Sequence, residues 1–136
     1  MLHESVQSLI REEQARQGDR FVEGDLEAYL IKLGEHAEIL SVAAEGRCRG
    51  FVAFYCNDLA TKQAFITSVL VDPRDRGRGV GRSLVSCVLE LSKRRGFATC
   101  QLEVARNNEA ARAMYLSMGF HAVGHRGHSD LLEIAL

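Results

Sequence analysis

The hydrophobic positions of the first third of the chain repeat with the period of a helix. Residues 4–17 keep their apolar side chains on one side and stop at Gly18. Asp25 is a favourable N-cap, and apolar residues follow it at helical spacing: Leu26, Tyr29, Leu30 and Leu33. The sequence therefore predicts two helices, the second ending before Gly34.

The middle of the chain changes to the alternation typical of strands. Apolar and β-branched residues fill 39–44, 47–56 and 64–71, and Glu45-Gly46 and Asn57-Asp58 separate them as turns. Short connections between consecutive strands favour an antiparallel meander.

After Pro73 the helical period returns twice. One helix carries the apolar stripe Leu84, Cys87, Val88 and Leu91 and stops at Gly96; a strand over 97–104 follows it. A last helix opens at Asn107-Asn108-Glu109, places Ala111, Met114, Tyr115 and Met118 on one face, and is capped by Gly119. Strands over 121–124 and 130–135 close the chain. The predicted order is ααβββαβαββ, a mixed α/β fold in which a helical crossover makes the third and fourth strands parallel.

The length and composition of the chain are those of a small globular protein. The 136 residues match a single domain covering 1–136, with 46% hydrophobic and 26% charged residues. No apolar run approaches the roughly 18–20 residues that cross a bilayer, so no membrane association is expected. The first residues lack the basic segment and apolar core of a secretion signal. A cytoplasmic protein is therefore the expectation.

Charge excludes another class of function. The formal net charge is −1, and the chain has no tryptophan, which speaks against an arginine-rich nucleic-acid binder. The positive charges are nevertheless clustered, with Arg74, Arg76, Arg78 and Arg82 within nine residues. Such a run is either a solvated face or a phosphate-binding surface, because the guanidinium fork matches phosphate oxygens.

Cysteine and histidine spacing does not favour a metal site. Cys48, Cys56, Cys87 and Cys100 form no CxxC pair and stand among apolar neighbours, which predicts buried, reduced thiols. His121, His125 and His128 are interrupted by glycines and have no nearby ligand completing a set. We expect a turn with exposed histidines and no metal.

The segment after the third strand carries the clearest chemical signal. Val69-Leu70-Val71 leads into a glycine-rich turn and then a helix, and the turn and first helical residues read Arg76-Gly77-Arg78-Gly79-Val80-Gly81-Arg82-Ser83. Alternating glycines let a ligand approach the backbone amides, and a helix N-terminus favours negative charge. The pattern predicts a diphosphate cradle. The spacings of a P-loop and of a dinucleotide fingerprint are both absent.

Two motifs together resemble a known family. Arg76 to Gly81 fits the Q/R-x-x-G-x-G/A coenzyme A loop of the GNAT family of acyl-CoA-dependent N-acyltransferases. Further on, Asn108, Ala111, Tyr115 and Gly119-Phe120 fit N-x-x-A-x-x-x-Y-x-x-x-G-F. The resemblance covers roughly 47–124, and the two N-terminal helices agree with it in order alone.

The resemblance implies a fold and an activity. The sheet would be mostly antiparallel, splayed between the third and fourth strands, and without the family's usual first strand; the sheet edge left unpaired could form a homodimer. The reaction would transfer an acetyl group from acetyl-CoA to a primary amine by direct attack in a ternary complex. A non-catalytic coenzyme A-binding regulator on the same fold is the alternative.

The resemblance also implies site residues. The pantetheine arm would pair with Val69, Leu70 and Val71, and Asn108 would bond or position it. The pyrophosphate would take the amides of residues 77–82, beside Arg76 and with Ser83 nearby. Tyr115 would be the general acid and Glu103 the base, although a core tyrosine and a solvated strand-end carboxylate are the ordinary alternatives. The acceptor remains open, with a small molecule preferred to a protein amine.

Overall fold

The computed structural model describes residues 2–18, 21–22 and 24–136. The predicted order of elements is confirmed, with a short 3-10 helix (Pro73–Asp75) added after the third strand. In chain order the elements are α1 (Glu4–Gln17), α2 (Leu26–His36), β1 (Glu38–Ala44), β2 (Arg47–Tyr55), β3 (Gln63–Val71), α3 (Val80–Arg94), β4 (Thr99–Ala105), α4 (Glu109–Met118), β5 (His121–Arg126) and β6 (Ser129–Ala135).

The start of α2 agrees with the prediction from the sequence, and its end does not. Asp25 caps the helix as predicted, because its side chain accepts a hydrogen bond from the amide of Glu27 at 3.0 Å. The predicted end at Gly34 is wrong, since the helix continues to His36. A glycine inside a helix costs about 1 kcal/mol, which the packing of the buried Leu30 and Leu33 can offset.

The six strands form one mixed sheet in the order β1-β2-β3-β4-β6-β5. The predicted parallel pairing of β3 with β4 is confirmed, from Gln63 opposite Thr99 to Ile66 opposite Leu102. β6 pairs antiparallel with both β4 and β5, and the register of β5 shifts between Ala122 and Gly124.

The chain divides into two compact units. The first comprises Met1–Ala53 and Ser68–Leu84, and the second comprises Phe54–Thr67 and Val85–Leu136, so β2, β3 and α3 contribute to both. In the first unit the apolar faces of α1 and α2 pack with β2 and the end of β3 around Ile10, Leu33 and Phe51. That residues 1–136 act as a single domain stays a prediction.

One of the four cysteines differs from the expectation. Cys48, Cys56 and Cys100 are buried free thiols, as predicted, but Cys87 is exposed. The reason is the orientation of α3, whose buried residues Leu84, Val85 and Val88 define a stripe that leaves Cys87 outside. None of the helices in the described part of the chain combines the length and apolar character that crossing a bilayer requires.

Candidate functional site

The glycine loop connects β3 to α3 in the first unit. Asp72 caps the 3-10 helix, and Gly77 and Gly79 each adopt a φ of 78°, a left-handed conformation that favours glycine. The amide of Ser83 donates to the carbonyl of Gly79 at 3.0 Å, closing the first turn of α3. The amides of residues 80–82 precede that bond and therefore point out of the helix end.

This geometry suits an anionic group. Left-handed residues alternating with right-handed ones turn successive amides toward one side, and the helix dipole adds partial positive charge. A Cβ built at Gly77 or Gly79 would meet no atom within 4 Å, so the backbone there is open to a ligand. This loop conformation is compatible with the predicted cradle from Gly77 to Arg82, which stays a prediction.

The start of α3 is held against two strands. A Cβ at Gly81 would lie 3.4 Å from Cγ2 of Val71. A Cβ at Gly50, on β2, would lie 2.9 Å from Cγ1 of Val80 and 3.1 Å from the carbonyl oxygen of Leu70. Because glycine occupies position 50, the first residue of α3 packs directly on the backbone of β2.

Two buried aspartates, Asp72 and Asp75, bind arginine side chains next to the glycine loop. Asp72 accepts hydrogen bonds from the backbone and guanidinium of Arg74, and Asp75 accepts from Arg47 at 2.7 Å and Arg49 at 3.0 Å. The Arg74 guanidinium holds the pKa of Asp72 well below its usual range, and Arg47 likewise lowers the pKa of Asp75, against the effect of burial.

The sequence pattern did not predict this group of ion pairs. The available signal was the alternation of Arg47 and Arg49, which places both side chains on one face of β2. Their partners, Asp72 and Asp75, follow the neighbouring strand by one and four residues.

The arginine run is not a uniform solvated face. Arg74 is engaged by Asp72, and Arg76 donates to the carbonyl of Val71 at 3.2 Å and to the carboxylate of Glu13 at 3.3 Å. Glu13 is buried on α1; burial opposes its ionisation, but hydrogen bonds from Arg16 and Gln17 outweigh burial and lower its pKa. Arg78 is exposed, and no ion pair of its guanidinium is found among the described residues.

Tyr115 lies in the second unit, on the buried face of α4. Its ring contacts Phe120 edge-to-face, with ring centroids 5.7 Å apart, and the residue is 7% exposed. Burial raises the pKa of its phenol to about 12. The position is that of a core residue whose hydroxyl stays protonated at neutral pH.

The other two candidates of the second unit have structural contacts. Asn108 is the N-cap of α4, and its side-chain oxygen accepts from the amide of Ala111 at 3.4 Å. Glu103, at the end of β4, accepts a hydrogen bond from Arg126 on β5 at 2.8 Å. The structure thus gives Glu103 a cationic partner that its sequence position did not indicate.

A second group of charges, also missed by the sequence analysis, surrounds Asp130. This buried carboxylate accepts from His125 at 2.8 Å and from Arg112 at 3.2 Å, and Arg106 lies 3.6 Å away. All three histidines are exposed, and His125 has an acidic partner in Asp130. No group of three or more histidine, cysteine or acidic side chains suited to a metal ion occurs in the part of the chain that the structure describes.

The structure brings the candidates together in two sets. The first unit holds the coenzyme A loop candidates: Val69, Leu70, Val71, Arg76, Gly77, Arg78, Gly79, Val80, Gly81, Arg82 and Ser83. The second unit holds Glu103, Asn108 and Tyr115.

Comparison with known proteins identifies the family. A model of the acetyltransferase (GNAT) family matches residues 4–120. The ribosomal protein bS18-alanine N-acetyltransferase of Salmonella typhimurium strain LT2 is 32% identical over 111 residues, covering 76% of this chain and 73% of that protein.

Solved structures show the same fold. The crystal structure of the ribosomal-protein-S18-alanine N-acetyltransferase from Escherichia coli has a TM-score of 0.73 at 23% identity, covering 99% of this chain and 89% of that one. The PaiA N-acetyltransferase from Thermoplasma acidophilum, crystallised with coenzyme A, has a TM-score of 0.70 at 17% identity, covering 98% and 87%. The loop, the fold and the family match agree, and the chain belongs to the GNAT family of acetyltransferases.

Proposed function

We propose that this protein transfers an acetyl group from acetyl-CoA to the primary amine of a small acceptor. The observation that carries the proposal is the loop of Gly77 and Gly79, whose left-handed conformation opens the amides at the start of α3. The loop follows a strand, and its sequence matches the coenzyme A motif of the family.

The backbone amides of the loop and the side chain of Arg78 are the groups that fit a diphosphate. The amides from Gly77 to Arg82 would bind phosphate oxygens, and Ser83 would lie nearby. Arg74 and Arg76 are already engaged by Asp72 and by Glu13, so their part is to hold the loop. Arg78 is exposed and is the side chain that we assign to the phosphates, through charge-assisted hydrogen bonds. Val69–Val71 and Asn108 remain candidates for the pantetheine arm.

Tyr115 would assist the departure of the thiol. Acetyl-CoA supplies an acyl group activated as a thioester. A thiol ionises near pH 8.5, well below the pKa of about 12 of the Tyr115 phenol. Complete proton transfer from this phenol to a thiolate is therefore uphill. We assign to Tyr115 the donation of a hydrogen bond to the leaving sulfur, which disperses its negative charge.

Glu103 would accept the proton of the attacking amine, directly or through water. Alkyl amines are largely protonated at neutral pH, so this proton must leave before attack. The buried thiols are unsuitable for a covalent acyl-enzyme, because burial raises the pKa of Cys48 and raises that of Cys100 to about 12. Direct attack in a ternary complex is the mechanism that we propose.

The proposal is tested first by calorimetric titration with acetyl-CoA. Gly79→Ala forces a residue with a Cβ into the left-handed region, where it costs about 1–2 kcal/mol, and should weaken binding at least tenfold. Arg78→Ala should also weaken it. Gly46→Ala is the matched control, because Gly46 has a φ of 74° in the β1–β2 turn and equal open space. Equal affinity of the wild type and the Gly79→Ala variant would overturn the assignment of the loop.

A further inference from the structure

One face of the sheet in the second unit carries several polar side chains beside the apolar Phe65 and Leu131. The registers of β3, β4, β6 and β5 place on it a set of hydrogen-bonding side chains, here called the open polar face: Gln63, Thr99, Gln101, Glu103, Arg126 and Glu133. The opposite face carries the buried residues Cys100, Leu102 and Leu132. The open polar face therefore differs from the core side in both composition and exposure.

Hydrogen bonds organise this face into two groups. Glu133 accepts from Gln101 at 3.0 Å and lies 3.5 Å from the side-chain amide of Gln63. Further along the strands, Arg126 reaches across β6 to Glu103. Arg126 is the one arginine or lysine that the described residues of these strands place on the face, and its side chain is 65% exposed.

The pair of Glu103 with Arg126 restricts which acceptors can react. The guanidinium of Arg126 donates to Oε1 of Glu103 at 2.8 Å, so an acceptor amine must compete with Arg126 for this oxygen. An acceptor amine that approaches Glu103 as an ammonium also meets the positive charge of Arg126. Both obstacles disappear when the acceptor brings its own anionic group to Arg126.

We propose that the acceptor is a small amino acid, in which a carboxylate close to the primary amine displaces Glu103 from Arg126. This inference rests on the proposed function and names its substrate class. The guanidinium fork of Arg126 matches a carboxylate in bidentate geometry. The displaced Glu103 is then free to accept the proton of the amine beside it.

The distance between Arg126 and Glu103 limits the distance between the carboxylate and the amine of the acceptor. Nη1 of Arg126 and Oε1 of Glu103 are 2.8 Å apart, and each hydrogen bond to the acceptor adds about 3 Å at most. The amine and the carboxylate of the acceptor would therefore lie less than about 9 Å apart, a limit that α- and β-amino acids satisfy. A diamine offers Arg126 a second positive charge, and a peptide N-terminus has an amide where the amino acid has its carboxylate.

The experiment compares each amino acid with its own carboxamide. The twenty L-amino acids and β-alanine, and the matching carboxamides, are assayed as acceptors with acetyl-CoA, alongside diamines and peptides. We expect at least one free acid to be acetylated with a kcat/KM at least tenfold above that of its amide. For that acid, Arg126→Ala should raise KM at least tenfold, Arg126→Lys should restore part of the loss, and the amide should respond to neither.

Controls separate recognition from folding and from coenzyme A binding. Arg94→Ala removes a comparable exposed ion pair, with Glu90 on α3, and should leave all acceptors unchanged. Titration of the best acid into enzyme saturated with coenzyme A measures acceptor binding without turnover, and Arg126→Ala should weaken it to the same extent.

Two outcomes would overturn the inference. One is that amides, diamines or peptides are acetylated as well as the acids or better; the other is that Arg126→Ala affects acid and amide equally. In both cases acetyl-CoA still binds and some amine is acetylated. If acetyl-CoA does not bind and no amine is acetylated, the proposed function itself fails, which is a distinct result.

Discussion

Tyr115 is a core residue to which the proposed reaction assigns a second role. Its ring packs edge-to-face on Phe120. Burial disfavours the phenolate and so keeps the proton on the oxygen far above neutral pH. A hydrogen-bond donor that does not ionise in the working pH range suits the role assigned to it.

Replacing Tyr115 with phenylalanine should separate turnover from binding. We expect kcat to fall about 10-fold to 1,000-fold while the dissociation constant of acetyl-CoA changes less than about twofold, because the ring and its packing remain. Steady-state kinetics and calorimetric titration measure the two quantities. Unchanged kcat would remove Tyr115 from the mechanism.

The same variant should change the alkaline stability of the protein. The phenol has a pKa of about 12 in the fold and about 10 when unfolded, so its contribution is complete below pH 10. The contribution is lost as the pH rises from about 10 to 12. Urea unfolding of the wild type should therefore show a steeper decline over this range than the Tyr115→Phe variant.

At the scale of elements, the loop and α3 depend on the strands beneath them. Val80 begins α3 and lies where a side chain at position 50 of β2 would stand. The conformation of the glycine loop therefore depends on Gly50, which is remote in sequence and is not part of the loop motif.

A Gly50→Ala substitution should disturb this packing. The new Cβ would lie 2.9 Å from Val80 and 3.1 Å from the backbone oxygen of Leu70, and overpacking of this kind costs about 1–3 kcal/mol. We expect lower stability by urea unfolding and weaker acetyl-CoA binding by calorimetry. In a Val80→Ala background, with the closer contact removed, the added cost of Gly50→Ala should shrink. An equal cost in both backgrounds would show that Val80 is not the obstacle.

At the scale of the whole molecule, the net charge of −1 does not show that many charged side chains form ion pairs within the fold. The buried carboxylates Glu13, Asp72, Asp75 and Asp130 each have arginine partners. Burial alone would make such carboxylates costly, so the paired arginines determine whether the charges are tolerated. Much of the positive charge that suggests a phosphate-binding surface is consequently engaged within the fold.

These pairs should make the protein sensitive to acid. The pKa values of Asp72 and Asp75 are lowered in the fold, so their stabilisation is present above about pH 4 and is lost as the pH falls further. The Asp75→Asn variant should be less stable than the wild type at pH 7 and show a flatter decline between pH 5 and 2. Denaturant unfolding across this pH range measures both effects.

The matched control for this experiment is Asp25→Asn. Asparagine caps a helix about as well as aspartate, so this variant keeps the start of α2 while removing an exposed carboxylate. A parallel pH dependence of the wild type and Asp75→Asn would contradict the assignment of acid sensitivity to the buried pairs.

The sequence by itself determined the order of elements, most of their limits, the parallel pairing of β3 and β4, and the family. Those properties depend on local periodicity, on caps such as Asp25 and Asn108, and on the two motifs. The end of α2 and the exposure of Cys87 were mispredicted, because tertiary packing decides whether a helix continues through Gly34 and which stripe of α3 is buried.

Only the tertiary structure decided how the charges are paired. Glu13 and Arg76 are 63 positions apart in sequence, and Arg126 meets Glu103 across an intervening strand. Partners so distant in sequence leave no periodic signal, since side chains meet wherever the strand order and register bring them together. The motifs thus indicated candidate residues. The tertiary structure determined which of these residues form ion pairs within the fold and which remain available to a ligand.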